Sequence, residues 1–217
     1  MVSSISVCIP CVYSHIYLLP RCINSIYKQI ILPYEVIISI SSVKDVESTK
    51  KEVESLLEKF RKRLNIIILY TRENKYSGEN RNAAVSAASG DIITFIDADD
   101  LMYHNRLYVI SRIFSADSSC IGILHYFTEN EETRDERWNF SPDNVTPYLY
   151  TDKLHFGHPS FRRRIFDEFK YQNTARMQDI KFVDSILPKY ISNLRIYNKK
   201  LSHYVSNDSA YYSKFKK

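Results

Sequence analysis

The chain has 217 residues with 30 basic and 25 acidic side chains, a formal charge of +5 and a pI near 8.9, long enough for one large α/β domain without staples. That charge is modest and mixed in sign, which argues against a dedicated nucleic-acid binder and suits anionic small substrates or peripheral association with an acidic membrane surface. Only four glycines occur, at 78, 90, 122 and 157, so neither a GxGxxG fingerprint nor a phosphate-cradling P-loop is present.

Ile5 to Ile9 is an apolar run closed by Pro10, which predicts a buried strand ending where proline can no longer donate to a ladder. A loop with Tyr13 and His15 follows. Pro20 suits the first turn of a helix whose apolar face carries Leu19, Cys22, Ile23 and Ile26. Glu35 to Ile40 predicts a second strand. Asp45 is placed to cap a long helix in which Val46, Val53, Leu56, Leu57, Phe60 and Leu64 recur at helical spacing, its lysines and glutamates forming a solvated face. Asn65 to Tyr70 predicts a third strand, and Ser77 to Ala88 a helix of small residues stopped by Gly90 in the left-handed conformation. Ile92, Ile93, Phe95 and Ile96 have the bulk of a strand covered on both faces. Four alternations of strand and helix in the first hundred residues predict a mostly parallel sheet flanked by helices.

At the end of the fourth strand stand Asp97, Asp99 and Asp100, where an open α/β sheet binds its ligands. Three carboxylates in four positions need a counter-charge, and a hard divalent cation bridging to a diphosphate supplies one. The alternative is that Asp99 or Asp100 caps the next helix while the others are solvated.

Beyond them, Asn105 to Phe114 predicts a helix and Cys120 to Phe127 a strand. The alternation then breaks. Residues 129 to 150 are polar and aromatic, with Trp138, Pro142 and Pro147, and read as a long loop that is a candidate lid. Helices are expected near Arg163 to Phe169 and Asp179 to Leu187, and short strands at Leu194 to Tyr197 and Leu201 to Val205. Lys214 to Lys217 fit a linker into a longer polypeptide as well as they fit a tail.

The four cysteines, Cys8, Cys11, Cys22 and Cys120, lack the second pair a zinc site needs and read as reduced thiols of a cytoplasmic protein. No basic segment with an apolar core opens the chain and no run of about 18 apolar residues occurs. The sequons at Asn139, Asn144 and Asn207 are therefore expected to stay unglycosylated. Of the 17 tyrosines and 11 phenylalanines, most are expected in packing and some in a sugar pocket.

The segments ISVCIP (5–10), YEVIIS (34–39), SGENRNAAVSAASGDIITFIDADD (77–100), GHPSFRRRIFDEF (157–169) and MQDIKFVDSIL (177–187) together resemble family 2 glycosyltransferases of the GT-A fold. The resemblance covers nearly the whole chain in order. It implies a single domain over 1–217, with 1–103 as the nucleotide-sugar half and 104–217 as the acceptor side. It also implies inverting transfer of a sugar from a nucleotide-diphosphate donor, UDP first by family frequency, to a hydroxyl of a glycan, protein or lipid-linked acceptor.

Residue by residue, the resemblance makes Asp97, Ala98 and Asp99 the DxD that meets the donor ribose and a Mn2+ or Mg2+ ion, with Asp100 sharing the metal. Pro10, Cys11, Val12 and Tyr13 fall on the loop that packs on the nucleobase, and Arg81 on the segment along the nucleotide. Asp179 takes the slot of the catalytic carboxylate, with an ordinary N-cap as its plainer role. Gly157 lets backbone approach the ligand, His158 lies beside the sugars, and Arg162 or Arg163 contacts phosphate. His203 corresponds to a C-terminal histidine near the metal in some relatives, with a satisfied surface histidine as the alternative. One departure stands out: where many relatives carry a base-reading aspartate, this chain reads ISISSVKD (38–45), offering only the hydroxyls of Ser39, Ser41 and Ser42. Two other classes stay open, a nucleotidyltransferase and a domain that binds nucleotide sugar without turnover.

Overall fold

A computed structural model describes residues 3–129 and 140–205. Trp138, Asn139, Asn207, Lys214 to Lys217 and residues 130–139 of the expected lid lie outside the described residues. The elements run β1 (Ile5–Val12), α1 (Leu19–Tyr27), β2 (Glu35–Ser41), α2 (Val46–Leu57), β3 (Ile66–Tyr70), α3 (Ser77–Ala87), β4 (Ile92–Phe95) and β5 (Leu101–Met102). They continue as α4 (Arg106–Ala116), β6 (Gly122–Glu129), β7 (Val145–Pro147), β8 (Ser160–Arg162), α5 (Ile165–Glu168), α6 (Gln178–Tyr190) and β9 (Leu194–Tyr204). Among the described residues no helix is long and apolar enough to cross a membrane.

One mixed sheet carries the chain, in the order β3-β2-β1-β4-β8-β6-β9-β5, with β7 paired to β9. The first four strands are parallel, as the alternation of elements requires. Because successive side chains of a strand point to opposite faces, β1 and β2 split the core in two. Val7, Ile9, Val36, Ile38 and Ile40 pack with α1, α2 and α4, whereas Cys8 and Ile37 pack with α3, α5 and α6. Asp45 caps α2 through the Ser48 N–H at 2.6 Å, as its position predicts. All four cysteines are free and buried.

From β1 the chain builds β2 and β3 on one side, then returns to place β4 on the other. This reversal opens a crevice between the carboxyl ends of β1 and β4, where Pro10 to Val12 face Asp97 to Asp99.

Several boundaries differ from expectation. β1 continues through Pro10 to Val12. Cys8 O accepts the Ile96 N–H on the β4 side, and Pro10, two residues on, faces the same side beyond the last β4 partner, so no ladder bond is lost. Gly90 does not take the left-handed conformation, since no described glycine has positive φ. It is needed for close approach instead: a Cβ there would lie 2.5 Å from Ser6 Oγ and 2.9 Å from Ser6 N. The segment expected as one helix at 163–169 is preceded by β8, antiparallel to β4, and keeps only the short α5. The two C-terminal strands are one, β9, whose register against β6 shifts around Tyr126.

Gly122 marks where β6 and β8 come closest. A Cβ there would sit 2.4 Å from two ring carbons of the buried Phe161 and 2.8 Å from Leu194 Cδ2. Gly122→Ala is therefore expected to cost about 1–3 kcal/mol by overpacking. A urea midpoint equal to wild type would show that Phe161 can move aside.

Candidate active site

The crevice is lined by Pro10, Cys11, Val12, His15, Lys75, Tyr76, Ser77, Asn80, Asp97, Ala98 and Asp99, in a cavity of about 370 Å3. Six of the sequence-derived donor residues thus share one wall. Tyr13 does not join them, because its hydroxyl turns to Glu52 Oε2 at 3.4 Å on α2. Ser39 and Ser41 lie buried beneath Asn80: Ser39 Oγ donates to Asn80 Oδ1 and Asn80 Nδ2 to Ser41 Oγ, both at 2.9 Å. The serines position an amide at the cavity instead of presenting hydroxyls to it. Sequence reasoning missed Asn80, Lys75 and Tyr76, although Asn80 stands inside the quoted SGENRNAA stretch.

Arg81, on the inward face of α3, is buried behind Asp97 and donates to its Oδ1 at 2.6 Å. A weaker contact reaches Gly157 O at 3.4 Å, and the guanidinium stacks over Tyr171 at 5.6 Å. Burial pushes the Asp97 carboxyl up to about 6, with Arg81 opposing the shift and Asp99 and Asp179 adding to it. Arg81 is the internal counter-charge of the carboxylate turn.

Asp100 turns away from the cavity. It is 1% exposed; its Oδ1 accepts the Val205 N–H at 2.8 Å and its Oδ2 lies 3.0 Å from His158 Nε2. The Asp97 N–H also points at that nitrogen, at 3.2 Å, which assigns Nε2 as an acceptor and the ring proton to Nδ1. Burial, then repulsion from Asp99 and Asp97, raises the Asp100 carboxyl well above its usual range, and burial depresses His158. Both shifts favour neutral forms; the His158 contact joins the carboxylate turn to the segment before β8, and the Val205 bond joins it to the end of β9.

Asp179 lies at the second position of α6 and lines a second cavity of about 240 Å3 with Phe127, Glu129, Leu154, His155, Phe156, Gly157, Ile180 and Tyr204. It is not the N-cap. Met177 holds that place in the left-handed conformation, φ 59°. Arg81 feels the charges of both Asp97, on the first cavity, and Asp179, on the second.

The arginines of 162–164 are not gathered here. Arg162 donates to Cys120 O at 2.7 Å and to Phe114 O at 3.1 Å, closing the end of α4, and Arg163 and Arg164 are exposed. His203 is buried opposite Leu101 and lines a third cavity, so it and Asp99 open on different spaces.

For a metal, Asp99 fits. Its carboxylate lines the crevice, and one carboxylate plus diphosphate oxygens is a usual set for a small hard cation. Asp100 does not fit, with both oxygens turned inward. Asp100, His155 and His158 do bring three ligand atoms within 4.8 Å of one another. However, the His155 and His158 rings stack at 3.7 Å and 8°, so their in-plane lone pairs run side by side and do not converge.

Behind them His125 is fully buried, with Nδ1 donating to Tyr126 O at 2.9 Å, and burial lowers it well below 6.5. The unfolded chain binds that proton as pH falls through 6.5 and the folded one does not, so this stability is present above 6.5 and lost below it. His125→Asn should flatten the acid limb of stability by about 1.4 kcal/mol per pH unit, read from urea midpoints at pH 7 and 5. Parallel limbs would mean that His125 titrates normally.

Residues 6–172 match the model of the Glycosyl transferase family 2. The chain belongs to that family. An uncharacterized glycosyltransferase of Methanocaldococcus jannaschii is 29% identical over 175 residues, 76% of this chain and 58% of that protein. The family 2 chain also matches crystal structures of S. aureus TarS residues 1–349. For the UDP-GlcNAc complex the TM-score is 0.71 at 17% identity, over 97% of this chain and 60% of the other. For the structure without named ligand the TM-score is 0.69 at 17% identity, over 93% and 60%. These matches show the GT-A fold, and this family 2 chain spans less than two thirds of the length of each of these proteins.

Proposed function

We propose that this family 2 chain is a metal-dependent, inverting glycosyltransferase that moves a sugar from a nucleotide-diphosphate donor to an acceptor hydroxyl. The observation that carries this is a pair of cavities, one lined by Asp97 and Asp99 and the other by Asp179, with the buried Arg81 held against Asp97. Residues 1–103 bind donor and 104–217 shape the acceptor side, within one domain. UDP is the preferred nucleotide, supported by the TarS structures with UDP and with UDP-GlcNAc. The acceptor is a glycan, a protein or a lipid-linked saccharide. The compartment is the cytoplasm, in keeping with four free buried thiols.

In this reading Pro10, Cys11, Val12, Tyr76 and Asn80 hold the base and Asp97 the ribose, with Arg81 keeping Asp97 in place. Asp99 would hold Mn2+ or Mg2+, which would neutralise the charge of the leaving diphosphate. Asp179 accepts the proton of the acceptor hydroxyl. The acceptor oxygen bonds to the anomeric carbon from the face opposite the departing phosphate oxygen, which leaves with the bond's electron pair, so the configuration inverts. His158 positions the turn through the Asp97 N–H, while Arg162 serves the scaffold.

The lack of a base-reading carboxylate in 38–45, with Ser39 and Ser41 turned to Asn80, favours a second reading, donor binding without turnover. A thermal-shift series of UDP-, GDP- and dTDP-sugars with and without Mn2+ tests the donor, because a ligand of the native state alone raises the melting point. A donor at one hundred times its Kd should contribute about 2.7 kcal/mol. Stabilisation by none of them removes the proposal; stabilisation without transfer or hydrolysis selects the second reading.

A further inference from the structure

The largest of the three cavities, about 660 Å3, is neither of the two used above. It lies between α1 and the strand pair β5–β9, lined by Arg21, Lys28, His104 and His203 together with Asn24, Ser25, Ile30 and residues 101–103. No carboxylate side chain is among its lining residues. We propose that this cavity is a second anion site, which takes a phosphate ester with an apolar organic part.

The walls are built, not incidental. The Met102 N–H donates to Ser25 Oγ at 3.0 Å, Gln29 Nε2 to Tyr103 O at 2.7 Å, the Leu107 N–H to Gln29 Oε1 at 3.0 Å, and the Ile30 N–H to His104 O at 2.9 Å. These four bonds clamp α1 and the residues after it to β5 and the start of α4, so the space is preformed.

The sign of the field follows from the groups around it. A helix C-terminus repels anions through its last carbonyls. In α1 those carbonyls are engaged: Cys22 O by Ser25 Oγ, Asn24 O by the Lys28 N–H, Ser25 O by Gln29 Nε2 and Ile26 O by the Gln29 N–H. Lys28 is exposed and makes no ion pair among the described residues, so its charge faces solvent and any incoming anion. Arg21 donates to the Asp99 carbonyl, which balances it against the carboxylate turn and leaves Lys28 as the principal cation.

The rest of the lining decides the chemical class. The Lys28 ammonium and the Asn24 amide offer several donors to the oxygens of one phosphate. Ile30, 58% exposed, and Met102 give an apolar wall for what the phosphate carries.

The site stands apart from the donor assignment. Isothermal titration of the whole chain with inorganic phosphate, phenyl phosphate and diphenyl phosphate tests it, with and without saturating UDP. Phenyl or diphenyl phosphate should bind saturably, more tightly than inorganic phosphate, and as well with UDP as without it. Lys28→Glu should weaken that binding at least tenfold, whereas Lys51→Glu, the same charge change on exposed α2, should leave it unchanged. Tighter binding of the diester assigns the site to phosphate within a chain or lipid linkage, and tighter binding of the monoester to a small metabolite. Absence of saturable binding, displacement by UDP, or equal weakening by the two variants would overturn the proposal. Both substitutions lie on exposed positions, and unchanged melting of each variant confirms that folding is intact.

Discussion

Asp179→Asn is expected to lower sugar transfer by about 10^2–10^4-fold, the range of a lost general base, while donor affinity stays within about twofold. The asymmetry follows from where the residue sits. Asp179 lines the cavity beside Gly157 and His155, apart from the wall formed by Pro10 to Val12 and Asp97 to Asp99. The side chain touches the acceptor hydroxyl in the proposed reaction and not the nucleotide. Asn keeps the shape and cannot accept the proton, so kcat falls and KM for the donor does not. A variant that transfers at the wild-type rate would take Asp179 out of the mechanism. One that also loses donor binding would make it a structural residue of α6.

The second large effect concerns Arg81. Removing one partner of a buried ion pair leaves the other uncompensated, typically at about 3–5 kcal/mol. The lower end applies, since 30% of the Asp97 side chain is open to solvent. Arg81→Ala should therefore cost about 3 kcal/mol and lower the melting temperature by roughly 6–12 °C. The penalty has a sign in pH. Asp97 in the fold has its pKa raised to about 6, above the ordinary 3.8, so the protonated form is favoured by folding as pH falls through 6. A protonated Asp97 needs no cation, and the cost of Arg81→Ala should shrink at pH 5 compared with pH 7.5. An equal cost at both values would trace the loss to packing on Tyr171 and not to charge.

Both expectations depend on neighbours that are distant in the chain. Asp97 and Arg81 are separated by 16 residues and His158 and Asp97 by 61, and Val205 meets Asp100 across 105. The sequence motifs brought each of these residues forward singly. They did not say that Asp100 turns inward while Asp99 faces the crevice, or that Ser39 and Ser41 support Asn80. Nor did they show that Arg162 closes α4. His203, which the resemblance puts near the metal, is carried by β9 to another cavity.

What the linear order determined by itself was local. Periods of two and of 3.6, a cap at Asp45 and acidic residues at a strand end fixed the alternation of elements, the parallel first half and the edge that holds the carboxylates. What only the tertiary structure decided was partnership: which charge Arg81 offsets, which histidine receives the Asp97 N–H, and which cavity each side chain enters. The physical reason is that backbone periodicity is set by sterics within a few residues, whereas pairing across a sheet depends on strand order and register. In this chain the β6–β9 register shift around Tyr126 and the antiparallel insertion of β8 beside β4 set both, and neither leaves a signal within a single segment.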